Sequence, residues 1–240
     1  MRIRICFAKT EAGRYLSHLD LARTLERSLR RAKAPLAFSE GFNPHPKLSF
    51  ASALPVGMTG CREYLDVELA YRVDAGEFCR ALEGAFPPAL AFVAAEEIAE
   101  GGRSLSAAVN LAVYRLVAML PAEGPGKVAE GIAAVLAETE LWRKPKTSPG
   151  KKPIPAKEVR GLLRRIKIVD ADEATAGLRD AVVVEMELHL RQDGQLQPQE
   201  LWEMIGVAGG FAAGAPLAVC RLDLLILRDD KPESPMHTKT

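Results

Sequence analysis

The pattern of hydrophobic and polar residues in the first half of the chain predicts the element order β-α-β-β-α-β. Residues 2–9 and 63–70 alternate with the two-residue period of half-buried strands. Residues 17–33 instead repeat their apolar positions at the helical period, and Pro35 ends that helix soon afterwards. The other elements of this half are predicted at residues 48–54 (strand), 74–86 (helix) and 90–98 (strand).

The second half repeats this order, which predicts an α+β fold of tandem ferredoxin-like (βαββαβ) domains. Its elements are predicted as strands at 112–120, 159–169, 181–190 and 217–227, and helices at 127–138 and 200–205. We assign residues 1–102 to the N-terminal domain and 103–228 to the C-terminal domain. Residues 229–240 are polar and contain proline, so we expect a disordered tail.

Strand parity locates the loop formed by residues 34–47. In a βαββαβ unit the second strand runs parallel to the first and the third runs antiparallel to it, and residues 48–54 satisfy this rule as the second strand. The loop then lies at the C-terminal end of the first helix, and His18 lies at the other end, about 20 Å away. In the alternative register, with 36–39 as a full strand, His18 and His45 could meet.

Charge is strongly segregated, although the chain carries a net charge of only +1. Residues 1–50 contain ten Lys/Arg against four Asp/Glu, and residues 143–167 contain ten Lys/Arg against one. The rest of the chain is therefore strongly acidic. Two separate basic segments are as consistent with solvated faces as with a polyanion site, and nucleic acid is the most plausible polyanion.

The basic segments contain the candidate binding residues. Arginines share the polar face of the first helix, and the run Asn43-Pro44-His45-Pro46-Lys47 fixes an imidazole and an ammonium group between prolines. Residues 143–158 form a proline-containing basic arm. The candidate nucleic-acid-binding residues are Arg23, Arg27, Arg30, Arg31, Lys33, Asn43, His45, Lys47, Lys144, Lys146, Lys151 and Lys152.

His18 is the candidate for catalysis, because an imidazole titrates near neutral pH and can act as a general acid or base. Its alternative is a structural histidine at the core edge, and Asp20 points too far around the helix to orient it. The four cysteines are scattered without a CxxC pair, so no zinc or iron–sulfur site is expected from them. The sequence predicts no cofactor, no metal and no membrane-spanning run.

The motifs resemble a known family. Tyr15-Leu16-Ser17-His18-Leu19-Asp20-Leu21, Arg30-Arg31-Ala32, the run from Ser39 to Lys47 and Glu63-Tyr64-Leu65-Asp66 are similar to the radical-SAM-linked bacterial domain of unknown function. The resemblance implies a radical SAM protein in trans, since this chain has no CxxxCxxC run for the cluster. Members of that family are often encoded near an RNase E/G-type ribonuclease, so the resemblance makes such a ribonuclease a candidate partner. The doubled order is similar in architecture to the RNA-processing RAMP proteins of CRISPR systems.

The leading hypothesis is a non-catalytic, cytoplasmic RNA-binding module that acts with a radical SAM enzyme in RNA modification or maturation. Transfer or ribosomal RNA is the expected partner class. One alternative is a metal-independent endoribonuclease using His18. Another is a protein–protein adaptor for a radical SAM subunit, with the acidic remainder of the chain as its docking surface.

Overall fold

The computed structural model describes residues 1–99, 101, 103–143, 145, 155–170, 178, 180–192 and 194–236. The chain forms two compact units of mixed α+β structure. The first contains Met1–Leu111 and the described residues from Cys220 onward, and the second contains Ala112–Val219. Strand pairing within them is mostly antiparallel. The predicted division at residue 102 stays a prediction.

The strands are β1 (Arg2–Lys9), β2 (Leu48–Phe50), β3 (Thr59–Glu68), β4 (Leu90–Ile98), β5 (Leu111–Met119), β6 (Trp142–Arg143), β7 (Lys157–Glu158), β8 (Leu163–Val169), β9 (Ala181–His189), β10 (Ala218–Arg228) and β11 (Lys231–Glu233). The helices are α1 (His18–Arg31), α2 (Ala75–Glu83), α3 (Leu105–Ala108), α4 (Pro125–Ala137) and α5 (Pro198–Gly209). Short 3-10 turns occupy Glu11–Gly13 and Arg160–Leu162.

The sheet of the first unit is organised around β3. One side of β3 pairs antiparallel with β1, which in turn pairs antiparallel with β4. The other side of β3 pairs antiparallel with β2 near the end of β3. At the start of β3 it pairs parallel with Cys220 and Arg221 of β10. The order β1-α1-β2-β3-α2-β4 agrees with the order predicted for this half. The tandem ferredoxin-like arrangement of the whole chain stays a prediction.

The core of the first unit lies between this sheet and the helices α1 and α2. The alternating residues of β1 and the helical-period leucines of α1 face each other there, which is why both patterns were readable in the sequence. The principal buried residues are Ile3, Ile5, Phe7, Leu21, Leu25, Leu29, Leu65, Val67, Phe78 and Leu82.

A charged pair is buried in the first unit between β3 and β10. Arg221 donates from Nε and Nη2 to the two carboxylate oxygens of Glu63, and both side chains are less than 5% exposed. The same guanidinium donates to the backbone carbonyls of Ser52 and Ala53. The chain after Phe50 is therefore held by Arg221, and β2 ends there although the predicted strand continued to residue 54.

Lys9 lies beside this pair and is almost completely buried. Its ammonium donates to the carbonyl of Leu16 at 3.1 Å, which fixes the segment entering α1. Burial lowers the pKa of Lys9, and the Glu63 carboxylate acts in the opposite direction.

The other face of β3 also carries buried polar groups. Asp66 accepts from Arg4 Nε and Arg2 Nη2, both at 2.7 Å, and Arg4 donates to the carbonyl of Pro235. Tyr64 donates its hydroxyl to Asp223 at 2.9 Å. Burial raises the pKa of Asp223, and the Tyr64 hydrogen bond opposes that effect. This face is therefore part of the interior.

The prediction of a disordered tail is wrong for the part that the structure describes. Asp229 and Asp230 both have positive φ, 47° and 60°, as in the two-residue turns that connect tight hairpins. They turn the chain back so that β11 pairs antiparallel with β10. Pro235 and Met236 are then buried. The polar composition concealed a hairpin turn, and residues 237–240 lie outside the described part.

The second unit places β9 between β5 and β8 and packs α4 against α5. The helices approach closely at glycines, since an added Cβ at Gly131 or Gly209 would collide with a carbonyl of the other helix. Helix α5 continues to Gly209, four residues beyond its predicted end at residue 205. Among the described residues, no helix is both long and apolar enough to span a bilayer.

We expect Arg221→Met to lower the free energy of unfolding by about 3 kcal/mol, because it leaves the Glu63 carboxylate buried without its guanidinium partner. The control Arg72→Met removes an exposed ion pair with Glu97 and should cost less than about 1 kcal/mol. Urea unfolding of the full chain measures both values. Equal costs for the two variants would contradict a dominant role for the buried pair.

Candidate nucleic-acid interface

Helix α1 presents a basic face to solvent. Its N-cap is Ser17, whose hydroxyl accepts from the Asp20 amide at 3.2 Å. Arg23, Arg27 and Arg30 follow at spacings of four and three residues and are all exposed. Arg30 pairs with Glu26 at 2.8 Å, whereas Arg23 and Arg27 form no ion pair with any residue that the structure describes.

The C-terminal end of α1 is a Schellman motif with lysine in the place that glycine normally takes. The Ala34 amide donates to the Leu29 carbonyl and the Lys33 amide to the Arg30 carbonyl, both at 3.0 Å. Lys33 has φ = 56°, the left-handed region that disfavours residues with a Cβ. Its ammonium group is exposed at the end of the helix.

Residues 37–47 form a closed loop beside this helix end. The Lys47 amide donates to the Ala37 carbonyl at 2.9 Å, and the Ser39 amide donates to the His45 carbonyl at 2.8 Å. The His45 amide in turn donates to the Ser39 hydroxyl at 3.0 Å. Ala37 also donates to the carbonyl of Glu68 on β3. The base of the loop is therefore anchored to the sheet.

The tip of the loop carries a fully exposed aromatic ring, Phe42. Gly41 before it has φ = 120°, a conformation that glycine adopts without strain. Asn43 and His45 are exposed beside it. A fully exposed ring at the tip of an anchored loop, beside exposed polar side chains, makes this tip a candidate contact surface.

The loop contacts α1 through a cation–π interaction. The Arg30 guanidinium lies 5.5 Å from the centroid of the Phe38 ring. We call the set Arg23, Arg27, Arg30, Lys33, Phe42, Asn43, His45 and Lys47 the α1–loop surface. It combines cations, which bind phosphates, with an aromatic face, which stacks on bases.

Like Arg30, two more of the predicted binding residues have protein partners. Arg31 donates to the carbonyl of Ala85 at 2.7 Å and so faces the end of α2. Lys47 pairs with Glu68 at 3.3 Å, and both side chains are half exposed. The remaining candidates, Lys144, Lys146, Lys151 and Lys152, lie outside the described residues. The assignment of the whole set to nucleic-acid binding stays a prediction.

His18 is the first residue of α1, about 18 Å along the helix from Arg30. Its exposed ring packs edge-on against Phe50 with centroids 4.9 Å apart. The Asp20 carboxylate accepts from the Ser17 hydroxyl at 2.6 Å. Within the described ranges no side chain hydrogen-bonds to the His18 imidazole, so no orienting partner for acid–base chemistry is in place there.

A second candidate surface is an open groove of about 530 Å³ in the second unit. The apolar residues that line it include Leu141, Trp142, Met204 and the strongly exposed Val207. The carboxylates that line the groove belong to Glu138, Glu140, Glu200 and Glu203. Arg143 lines the groove at 3.9 Å from Glu200.

Metal chemistry receives no support from the described side chains, which contain no group of three or more His, Cys, Asp and Glu placed to hold an ion. Sequence reasoning missed Phe42 as a site residue. The available signal was an aromatic residue in a Gly-Phe-Asn-Pro turn, where no strand or helix period buries it. It also missed the groove, which depends on packing between distant segments.

Comparisons with known proteins identify the family and a fold likeness. A family model matches residues 2–198, so the chain belongs to the family DUF2344, described as "Uncharacterized protein conserved in bacteria". Comparison with curated proteins yields no match.

Comparison with solved structures finds chains that are similar to this one at low identity. A chain from "Crystal Structure of a Cbf5-Nop10-Gar1 Complex" has a TM-score of 0.50 and 11% identity, with 92% of this chain and 48% of that chain covered. A chain from "Crystal structure of the archaeal box H/ACA sRNP Nop10-Cbf5 complex" has a TM-score of 0.49 and 13% identity, with 91% and 46% covered. This chain thus spans about half the length of each.

We expect Lys33→Gly to raise the free energy of unfolding by about 1 kcal/mol, because glycine removes the Cβ strain at positive φ. Lys33→Arg keeps both the strain and the charge, so its stability should match that of the parent. Urea unfolding of the three proteins checks this. A destabilised Lys33→Gly would show that the lysine stem contributes packing that outweighs the strain.

Proposed function

We propose that this member of the family is a non-catalytic RNA-binding module that acts with a radical SAM enzyme in RNA modification or maturation. The observation that carries the proposal is the fully exposed Phe42 ring at the tip of an anchored loop, whose Phe38 contacts Arg30 on the basic face of α1. The likeness to a chain of the Cbf5–Nop10–Gar1 complex concerns the fold alone. The proposal therefore rests on the side chains of the α1–loop surface.

The surface suits single-stranded RNA better than a duplex. Unpaired bases expose their faces for stacking on aromatic rings, whereas the bases of a duplex are already stacked. Phe42 would stack on one base while Arg23, Arg27 and Lys33 contact neighbouring phosphates. Asn43 and His45 add hydrogen-bonding groups at the same tip. A loop or an unpaired end of transfer or ribosomal RNA is thus the proposed target.

The radical SAM partner is supported by the resemblance of the sequence motifs described above. Because this chain has no CxxxCxxC run, it would bind the RNA while the partner supplies the radical chemistry. We propose a cytoplasmic complex for this reaction.

We expect the full chain to bind an unstructured RNA oligonucleotide at micromolar concentration, with affinity that falls steeply with salt. Phe42→Ala should weaken binding about 5- to 150-fold without changing the salt slope, because it removes stacking and no charge. Phe42→Trp should retain binding. Fluorescence anisotropy at several salt concentrations measures these quantities.

Removal of charged residues should instead reduce the salt dependence of binding. Arg23→Ala/Arg27→Ala should lower the slope of log affinity against log salt by about 1.4, and Lys33→Gly by about 0.7. Arg72→Ala, outside the surface, is the matched control and should leave the slope unchanged. Absence of salt-sensitive binding by the parent chain would overturn the proposal. Cleavage of the RNA in EDTA, lost in His18→Ala, would instead favour the endoribonuclease.

The groove of the second unit favours a second candidate function, a protein–protein adaptor. The apolar and acidic side chains that line it are complementary to an amphipathic segment with a basic face. Such a segment from a radical SAM subunit would place its apolar side chains against Val207 and Met204. Its cations would face Glu138, Glu140 and Glu203.

We expect an amphipathic leucine–lysine peptide to bind the full chain and to change the fluorescence of Trp142. Val207→Asp should weaken this binding at least tenfold without unfolding, since Val207 is 71% exposed. Val56→Asp changes a valine of similar exposure in the first unit and serves as the control. Equal binding of a leucine–glutamate peptide would contradict the charge argument.

A further inference from the structure

Two cysteines that are distant in sequence meet on neighbouring strands of the first unit. The Sγ atoms of Cys61 on β3 and Cys220 on β10 are 3.3 Å apart, although 159 residues separate them along the chain. They lie where the two strands pair in parallel, with Cys220 opposite Thr59 and Arg221 opposite Gly60. Both are reduced in this structure.

A bulge in β3 accounts for the position of Cys61. Phe7 pairs with Glu63 and Lys9 pairs with Gly60. The two-residue step on β1 therefore lies opposite a three-residue step on β3, so β3 contains one extra residue. Such a bulge redirects the side chains beside it. Cys61 lies within the bulge and is exposed, whereas Cys220 is half buried.

We propose that Cys61 and Cys220 are a thiol pair that a hydroperoxide oxidises reversibly to a disulfide. A disulfide bond is about 2.05 Å long, so the sulfurs need to approach by little more than 1 Å. Nothing in the proposed RNA or adaptor function depends on this reaction. The pair is a modification site in its own right.

The environments of the two thiols set the order of the steps. Cys61 is the exposed thiol and meets the oxidant first. The hydrogen bond to Cys61 and burial both raise the pKa of Cys220, which therefore keeps its proton until the second step. Cys220 is thus placed as the resolving thiol.

The chemistry balances with one peroxide for each disulfide. The Cys61 sulfur attacks the O–O bond and becomes a sulfenic acid, and the released alkoxide or hydroxide takes the thiol proton. The Cys220 sulfur then attacks the sulfenic sulfur and displaces hydroxide, which leaves with the Cys220 proton as water. Two thiols lose two electrons, and the peroxide is reduced to an alcohol or water plus one further water.

The disulfide would stabilise the attachment of β10. It closes a loop of 159 residues, and cross-links over long loops restrict the unfolded chain most strongly. Its position next to Arg221 also holds the partner of the buried Glu63 in place. We therefore expect oxidation to raise Tm by about 5–10 °C.

The test treats the full chain with hydrogen peroxide, alkylates the remaining thiols, and maps the disulfides by mass spectrometry. Before alkylation, the expected product is a monomer 2 Da lighter than the reduced chain. It contains one Cys61–Cys220 bond, which dithiothreitol reduces, and it has the raised Tm. Cys6→Ser and Cys79→Ser are matched controls and should still form the Cys61–Cys220 bond, since Cys6 is buried and Cys79 donates to the Ala95 carbonyl.

Single variants test the order of the steps. Cys220→Ser should accumulate a Cys61 sulfenic acid that dimedone traps, and Cys61→Ser should form no intramolecular disulfide and show no rise in Tm. Persistence of both thiols at peroxide concentrations that oxidise Cys61 in Cys220→Ser would overturn the proposal. Disulfides formed only between chains, or only with Cys6 or Cys79, would overturn it as well.

Discussion

The buried pair of Glu63 and Arg221 is the constraint on which the first unit depends. A carboxylate removed from water requires a cation with good geometry, and the bidentate guanidinium provides it from a residue 158 positions later. The same guanidinium holds the carbonyls of Ser52 and Ala53. Lys9, beside the pair, holds the carbonyl of Leu16. One charged cluster therefore positions the entry to α1, the end of β2 and the returning strand β10.

The α1–loop surface is built on this fixed frame. Leucines bury one face of α1, and the opposite face is left to arginines. The 37–47 loop is tied to β3 through Glu68 and to the helix end through Phe38 and Arg30. Rigid anchorage and an exposed tip together reduce the ordering cost of binding, because the aromatic ring is already presented before a ligand arrives. The strained Lys33 fits the same interpretation, since strain tends to be retained where function requires it.

The sequence predicted those parts of the structure that depend on local periodicity. The helix α1, the burial of its apolar face and the start of the second strand at Leu48 all follow from spacing along the chain. The interior charges do not, because Glu63, Asp66 and Arg221 look like residues of exposed faces until distant segments cover them. The Asp229–Asp230 turn was likewise hidden by polar composition. For the candidate site, the cations of α1 could be named from the helical period, while the exposure of Phe42 depends on how the loop closes.

The first unit combines residues from both ends of the described chain, and this has a consequence during synthesis. Glu63 leaves the ribosome long before Arg221, and at 5–20 residues per second the delay is roughly 10–30 s. During that interval the nascent β3 has neither the guanidinium for its carboxylate nor the strand that pairs with its first residues. Translation of the segment that contains Arg221, rather than of β3 itself, then decides when this unit acquires its native interior. A chaperone that shields the unfinished sheet edge would act in that interval.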